Sequence, residues 1–290
     1  VSFNGVWSSV NGGSTWITSS AAWSERAGLV ALYHNGKIYV TGGKDSSGTY
    51  FHDVWSSGDE GMTWMEVTAT NPAPWSERWL HTCVVFNNKM YIIGGYGVGF
   101  NSDVWSSSDG GVTWVEVTPD AGWSGRWAHS SVIYDNKIYV LGGYNGSKTN
   151  DIWSSSDGGV NWVEVTGAAA WSARYGHTSV VYNDIIYVMG GDIASTDSVW
   201  SSSNGGVTWI EKLPPWSSRY GHTSVVHDSK IYVLGGWERA GFYSKEVWLV
   251  DMSVPLDDAG HSGVAEAVTA LWVTGHLGLF GYVAAKFLWA

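Results

Sequence analysis

The 290 residues are 44% hydrophobic, enough for a sizeable buried core in one or two domains, which excludes a disordered chain. A formal charge of −11 with only 15 Lys and Arg argues against nucleic-acid phosphates or an anionic membrane surface as the main partner. A single cysteine, Cys83, excludes an intrachain disulfide and a thiolate metal cluster.

From the N-terminus, residues 5–19 read as a Val-Trp strand, a Ser-rich turn and a Thr-Trp strand with no hairpin before them, the outer half of a four-stranded unit. Complete units follow. Trp-Ser-x-Arg begins at Trp23, Trp75, Trp123, Trp171 and Trp216, spaced 52, 48, 48 and 45 residues apart, which marks one supersecondary unit repeated. In the unit opened by Trp123, residues 129–134 and 137–141 are β-branched and aromatic and flank Asp135-Asn136, so they predict a hairpin. Gly142-Gly143 and a variable loop lead to Asp151-Ile152-Trp153-Ser154, then a Ser/Asp/Gly turn and Trp162-Val163-Glu164-Val165. That makes four strands per unit, with no helical period in the repeats. A unit of about 45 residues cannot bury both faces of its sheet alone, so the units pack radially as blades of a β-propeller. Six blades is the preferred count and five the alternative. Residues 1–253 form the propeller, its ring closed by the N-terminal outer strands with a hairpin from residues 267–273 and 279–284. The apolar tail, 254–290, supplies either those closing strands or an oligomer contact.

Arg-x-x-His, Ile-Tyr-Val-x-Gly-Gly, Asp-Val-Trp and a second Trp, in that order, resemble the kelch repeat over roughly residues 5–250. A second resemblance sits inside the first. Residues 57–64 and 107–114 fit the Asp-box pattern Ser-x-Asp-x-Gly-x-Thr-Trp, while 9–16 and 202–209 carry Asn at the acidic place and 155–162 has Asn161 for Thr. Asp and Asn both hold a local turn and only Asp brings a full charge, so their interchange points to a structural turn between strands three and four. Sixteen of the 21 Trp fall at repeat positions, where packing between blades is reason enough for an indole.

The kelch resemblance implies that the loops from strand four to one and from strand two to three surround the channel mouth on one face. Carried over by motif, Arg26, Arg78, Arg126, Arg174 and Arg219 would ring that mouth and grip carboxylates or sugar hydroxyls. The competing reading ties each arginine to a backbone carbonyl or an acidic partner. His81, His129, His177 and His222, with Leu29 in the first copy, read as structural. The residue after each Arg varies: Ala27, Trp79, Trp127, Tyr175 and Tyr220. The loops between strands two and three add Tyr50, Phe51, Tyr96, Phe100, Tyr144, Trp237, Phe242 and Tyr243. Such a rim suits sugar or peptide binding through ring faces and polar edges. The expected ligand-binding residues are therefore the five arginines with Trp79, Trp127, Tyr175, Tyr220 and Trp237. No catalytic residue, metal ligand or cofactor is expected.

The function these residues imply is a non-catalytic, extracellular binding propeller recognising a glycan or a protein, with export suggested by a chain that opens on Val1 without a signal sequence. One alternative is a structural subunit assembled through the tail. Another is a sugar mutarotase or epimerase of the kelch type, for which Glu25, Glu77 and Glu238 are the acidic candidates. Nucleic-acid and membrane partners are not expected.

Overall fold

A computed structural model describes residues 4–9, 11, 13–192, 198–214, 216–238, 241–251 and 267–268, and among them there is no helix. The chain opens with a two-stranded ribbon, β1 (Gly5–Ser8) and β2 (Ile17–Ser20). The first four-stranded antiparallel sheet contains β3 (Val30–His34), β4 (Lys37–Thr41), β5 (Val54–Ser57) and β6 (Met65–Glu66). The second has β7 (Thr82–Phe86), β8 (Lys89–Ile93), β9 (Val104–Ser107) and β10 (Val115–Thr118). The third has β11 (Ser130–Tyr134), β12 (Lys137–Tyr144), β13 (Lys148–Ser155) and β14 (Val163–Thr166). The fourth has β15 (Thr178–Tyr182), β16 (Ile185–Met189), β17 (Val199–Ser202) and β18 (Ile210–Lys212). After the short β19 (Arg219–Tyr220) come β20 (Thr223–His227) and β21 (Lys230–Leu234), then the short β22 (Trp237–Glu238) and β23 (Phe242–Tyr243). The fifth sheet is completed by β24 (Val247–Asp251) and β25 (Ala267–Val268).

Each sheet begins with the hairpin expected from its turn pair. Asp135 and Asn136 both take the left-handed conformation, φ 46° and 51°, as a two-residue turn of the type I′ requires. The register runs from Tyr134 opposite Lys137 to Ser130 opposite Leu141.

The apolar core is not one mass but a series of seams, each built from two neighbouring sheets. Val84, Tyr91 and Val104 of the second sheet meet Trp123, Ile138 and Val140 of the third unit, and the third meets the fourth through Leu141, Ile152, Trp171 and Ile186. The first strands of successive sheets lie against one another, so the fourth strands are outermost. The N-terminal ribbon joins the same series at both ends. Its Trp16 packs on Tyr232, Leu234 and Val247 of the fifth sheet, while its Val6 packs with Trp23 and Val40 of the first unit. Ser19 Oγ adds a 2.6 Å hydrogen bond to the carbonyl of Gly61.

The closing hairpin expected from residues 267–273 does not begin where the sequence suggested. Ala267 pairs with Trp248 and Val268 with Val247, so this stretch forms the outer edge of the fifth sheet and supplies the strand that the fifth unit lacks. The rest of that hairpin, 269–273 and 279–284, lies outside the described residues, as does most of the tail.

The histidines and the Gly-Gly doublets explain each other. His129 Nε2 bonds the hydroxyl of Thr82 on the preceding sheet at 2.9 Å, and His81, His177 and His222 make the same bond to Thr41, Ser130 and Thr178. The imidazole then lies over the first glycine of the preceding doublet. A Cβ on Gly94 would come within 2.9 Å of the His129 ring, and one on Gly95 within 2.7 Å of His81 Cβ. Both glycines also hold positive φ, 58° and 103°, so no other residue fits this pinch.

Burial, with a nearby arginine adding to it, depresses His81, His129 and His222 to about 3 and His177 well below its ordinary value. The folded protein keeps these rings neutral, whereas the unfolded chain protonates them below about 6.5. Unfolding therefore takes up protons between pH 6.5 and 3, and stability is lost as pH falls through that window. The urea midpoint should fall steadily from pH 7 to pH 4; a midpoint that stays flat over that range would refute the neutral buried assignment.

Candidate functional site

The five Trp-Ser-x-Arg arginines are not on a face. Arg78, Arg126, Arg174 and Arg219 are at most 1% exposed and Arg26 is 5% exposed. All five N–H groups of Arg78 are used inside the protein. Nε and Nη2 donate to the carbonyl and hydroxyl of Ser76, Nη1 to the carbonyl of Gly94, and Nη1 and Nη2 form a fork on Asp103, each at 2.7 Å. The indole of Trp75 lies 5.7 Å from the guanidinium carbon. Asp103 also accepts the indole N–H of Trp105 at 2.8 Å. One four-residue motif thus gathers its own tryptophan and serine, the Gly-Gly carbonyl and the Asp-Val-Trp strand into a single knot. The backbone of the same arginine reaches the previous unit, where Gly43 N–H donates to the Arg78 carbonyl at 2.9 Å and Arg78 N–H to Phe51 at 3.0 Å.

The expectation that these arginines grip a ligand gives way to a positioning role: all five side chains are buried, and the donors of Arg78 and Arg126 are fully occupied inside the protein. Arg126 makes the same fork on Asp151, Arg26 pairs with Asp53 through Nη1 alone, and Arg219 pairs with Glu246 and Glu238. Burial by itself would raise the Asp151 carboxyl, but the hydrogen bonds and charge of Arg126 hold it below its ordinary value. The fourth unit is the exception. Its acid is replaced by Ser198, which takes both Arg174 Nη2 at 3.3 Å and Trp200 Nε1 at 2.7 Å, and burial without a paired acid lowers Arg174 to about 10. Of the acids near the same face, Glu238 is buried against Arg219 and Ser217, while Glu25 and Glu77 are exposed. Cys83 sits in β7 with its thiol pushed up to about 12 by burial. Among the described residues, no three His, Cys, Asp or Glu side chains converge as a metal would require.

What does reach the surface is the residue next to the arginine, in every unit but the first, where Ala27 is buried. It pairs through the backbone with the residue after the Gly-Gly doublet of its own unit. Ala27 bridges Lys44, Trp79 bridges Tyr96, Trp127 bridges Tyr144, and Tyr220 pairs with Trp237. In the fourth unit the Asp192 N–H donates to Tyr175 at 2.8 Å. The next residue inward carries a chain of hydrogen bonds from unit to unit: Leu80 N–H to Gly28, Ala128 to Leu80, Gly176 to Ala128 and Gly221 to Gly176, each 2.8 or 2.9 Å. Leu80 and Ala128 take φ of 52° and 50° to make it, a cost that a side chain bears and glycine does not. The rim aromatics therefore stand on a fixed backbone arc.

Their rings form a continuous band across the units. Trp79 and Trp127 stack at 6.1 Å with planes 19° apart; Tyr50 lies 6.4 Å from the first and 6.3 Å from Tyr96, and Tyr144 and Tyr175 lie 5.3 and 5.2 Å from the second. Lys44 Nζ lies over Tyr50 at 4.8 Å and over Trp79 at 5.2 Å. Lys148 sits over Tyr175 and pairs with Asp192 at 3.1 Å. Burial and a hydrogen bond to Asp192 push the Tyr175 phenol up. Trp237 meets Tyr243 edge-on at 4.6 Å, a second patch beyond the main band. The structure thus brings together Trp79, Trp127 and Tyr175, and sets Tyr220 and Trp237 beside each other. Sequence reasoning missed Lys44, Lys148 and Asp192; the signal for Lys44 and Asp192 was their place directly after a Gly-Gly doublet.

The model of the KLHDC2/KLHL20/DRC7 Kelch-repeats domain matches residues 11–191, and the Kelch motif matches residues 218–253. Human Kelch-like protein 6 is 33% identical over 60 residues, which is 21% of this chain and 8% of that protein's length.

Two substitutions test the clamp. Asp103→Asn leaves Arg78 buried and unpaired and should cost roughly 3 kcal/mol in urea unfolding, whereas Ser198→Asp gives Arg174 its missing partner and should raise stability. Ala128→Gly should gain about 0.5 kcal/mol by relieving the left-handed strain, net of the added freedom of the unfolded chain. A destabilised Ser198→Asp protein would show that the fourth unit cannot seat the acid.

Proposed function

The chain belongs to the kelch-repeats domain family, and on that premise we propose that it is a non-catalytic binding propeller that takes a protein ligand on its aromatic rim. The observation that carries this reading is the division of labour at the site. The clamp under the rim repeats in every unit, with Ser198 for the acid in the fourth, while the paired residues above it run Ala-Lys, Trp-Tyr, Trp-Tyr, Tyr-Asp and Tyr-Trp. A scaffold should repeat, and a recognition surface should not. Half-buried aromatics held on a rigid arc contribute large contact area at little entropic cost, which is why such residues dominate binding hot spots. Lys44 and the Lys148–Asp192 pair add polar edges that fix orientation.

A glycan ligand is the finer alternative, since sugars also bind ring faces. The Trp79–Trp127 pair favours a protein, because the Trp79 N–H is buried and the two near-parallel rings offer apolar surface without that donor for a sugar hydroxyl. The Ser-to-Trp turns, with Ser107 Oγ donating to Asp109 and Thr113 N–H donating to the same carboxylate, support a purely structural role for what we read as Asp-boxes.

The test is a peptide-display selection and a glycan array run in parallel on the wild-type chain and on Trp79→Ala/Trp127→Ala. Peptide ligands should emerge whose affinity falls at least tenfold in the double variant, the loss of about two hot-spot rings. Ligands bound equally by both proteins would sink the assignment of the rim, and sugars alone on the wild type would replace protein with glycan.

A further inference from the structure

The outer circumference carries a second repeated feature that the rim does not use. Each sheet from the first to the fourth exposes two large aliphatic side chains around its strand-four tryptophan: Met62 and Met65, Val112 and Val115, Val160 and Val163, Val207 and Ile210. All eight are between 47% and 67% exposed. They recur because the inward position is taken by the tryptophan, Trp114 in the second unit at 8% exposure, so that Val115, next along the strand, turns outward. Exposed aliphatics scattered singly need no explanation, but a pair repeated at the same place in four successive sheets marks a surface.

Two further properties of the same strip define what it can hold. Strand four is the terminal strand of each sheet, so β10 and β14, both Val-Glu-Val-Thr, pair on one side only and leave a row of peptide groups open on the other. Across the first three sheets the strip is also acidic without relief, while the fourth pairs Glu211 with Lys212 in sequence. Residues 57–68, 107–118 and 155–166 contain Asp59, Glu60, Glu66, Asp109, Glu116, Asp157 and Glu164, and no Lys or Arg. Hydrogen bonds from Thr63 and Ser57 hold Asp59 down at about 2, so the charge persists at any ordinary pH.

We propose that this circumference is a docking surface for an extended protein segment of alternating aliphatic and basic residues, added as a strand to the free edge of β10 or β14. The open edge supplies backbone hydrogen bonds, Val115 and Val163 the apolar contacts, and Glu116 and Glu164 the charge that selects Lys or Arg. A second copy of this chain is the poorer fit, since it would bring Val-Glu-Val against Val-Glu-Val and set like charges across the interface. The surface is independent of the rim and stands or falls apart from it.

The probe is a fluorescein-labelled peptide, Lys-Val-Lys-Val-Lys-Val-Lys, read by anisotropy against the full chain at two salt concentrations. Controls are its Glu-Val and Lys-Ser counterparts and a form N-methylated along one edge. Binding should be lost to all three controls, weakened at least tenfold by high salt, and weakened at least tenfold in Val115→Ser/Val163→Ser and in Glu116→Lys/Glu164→Lys. Both variants alter exposed residues, and thermal unfolding checks that they fold. Trp79→Ala/Trp127→Ala should bind the probe as the wild type does. The proposal is overturned if the Lys-Val peptide does not bind, if the Lys-Ser or N-methylated peptide binds as well, or if both surface variants keep wild-type affinity. Light scattering of the unliganded chain supplies one more opposing outcome: a dimer abolished by Val115→Ser/Val163→Ser would assign the edge to a second copy.

Discussion

The buried arginine is the constraint from which the rest of each unit follows. A guanidinium taken out of water must satisfy five donors in one plane, and no single loop can supply them all. In four of the five units they come from a serine two residues back, a glycine carbonyl 16 residues on and a carboxylate 25 or 27 residues on. Three segments remote in sequence must therefore converge on one point, and that convergence is the blade. The carboxylate cannot move without releasing the arginine, and the indole of the third strand is fixed by the same oxygen that takes one tine of the fork. The tryptophan directly before the serine covers the guanidinium from one side. Packing at the seams then acts on units whose shape is already set.

That arrangement separates what holds each unit from what varies at the rim. The side chain of each arginine ties its own unit together, and its backbone ties the unit to the one before. The neighbouring residue inherits a fixed position and no structural duty for its side chain beyond the band it helps to form. Ala27, Trp79, Trp127, Tyr175 and Tyr220 can thus differ while the backbone arc under them stays continuous. The arc itself bears some cost, since Leu80 and Ala128 hold a conformation better suited to glycine. Strain of this kind persists only where surrounding contacts over-determine it, and here both neighbouring units do so.

The repeat, the four strands, the inner hairpin and its turn were legible because each rests on a local rule: spacing, period-two alternation, and paired residues that tolerate positive φ. The fate of the arginines was not. In sequence, Arg126 stands in a loop beside an aromatic, which is what a ligand ring would look like; its partner Asp151 belongs to a strand that the chain reaches only later. The repetition of both at constant offset was the available clue, and Ser198 in the fourth unit blurred it. The closing strands misled for a different reason. An apolar β-like run fits any unpaired edge, so residues 267–268 were as compatible with the fifth sheet, where β25 lies, as with a closing hairpin.

The charge balance takes on a different meaning once the clamps are seen. Of the 15 basic residues, five are arginines withdrawn from the surface, and three of those are matched by buried or half-buried aspartates of their own unit. The net charge of −11 is therefore carried by a surface poorer in cations than composition implies. What remains is uneven: Lys44 and Lys148 lie over rings of the rim, while three successive outer strips have acids and no base. The two surfaces therefore differ in chemistry: the circumference offers long-range attraction to a cation, and the rim offers ring contact at short range. The two proposed surfaces can thus differ without disturbing the fold, because the residue that stabilises each blade belongs to neither.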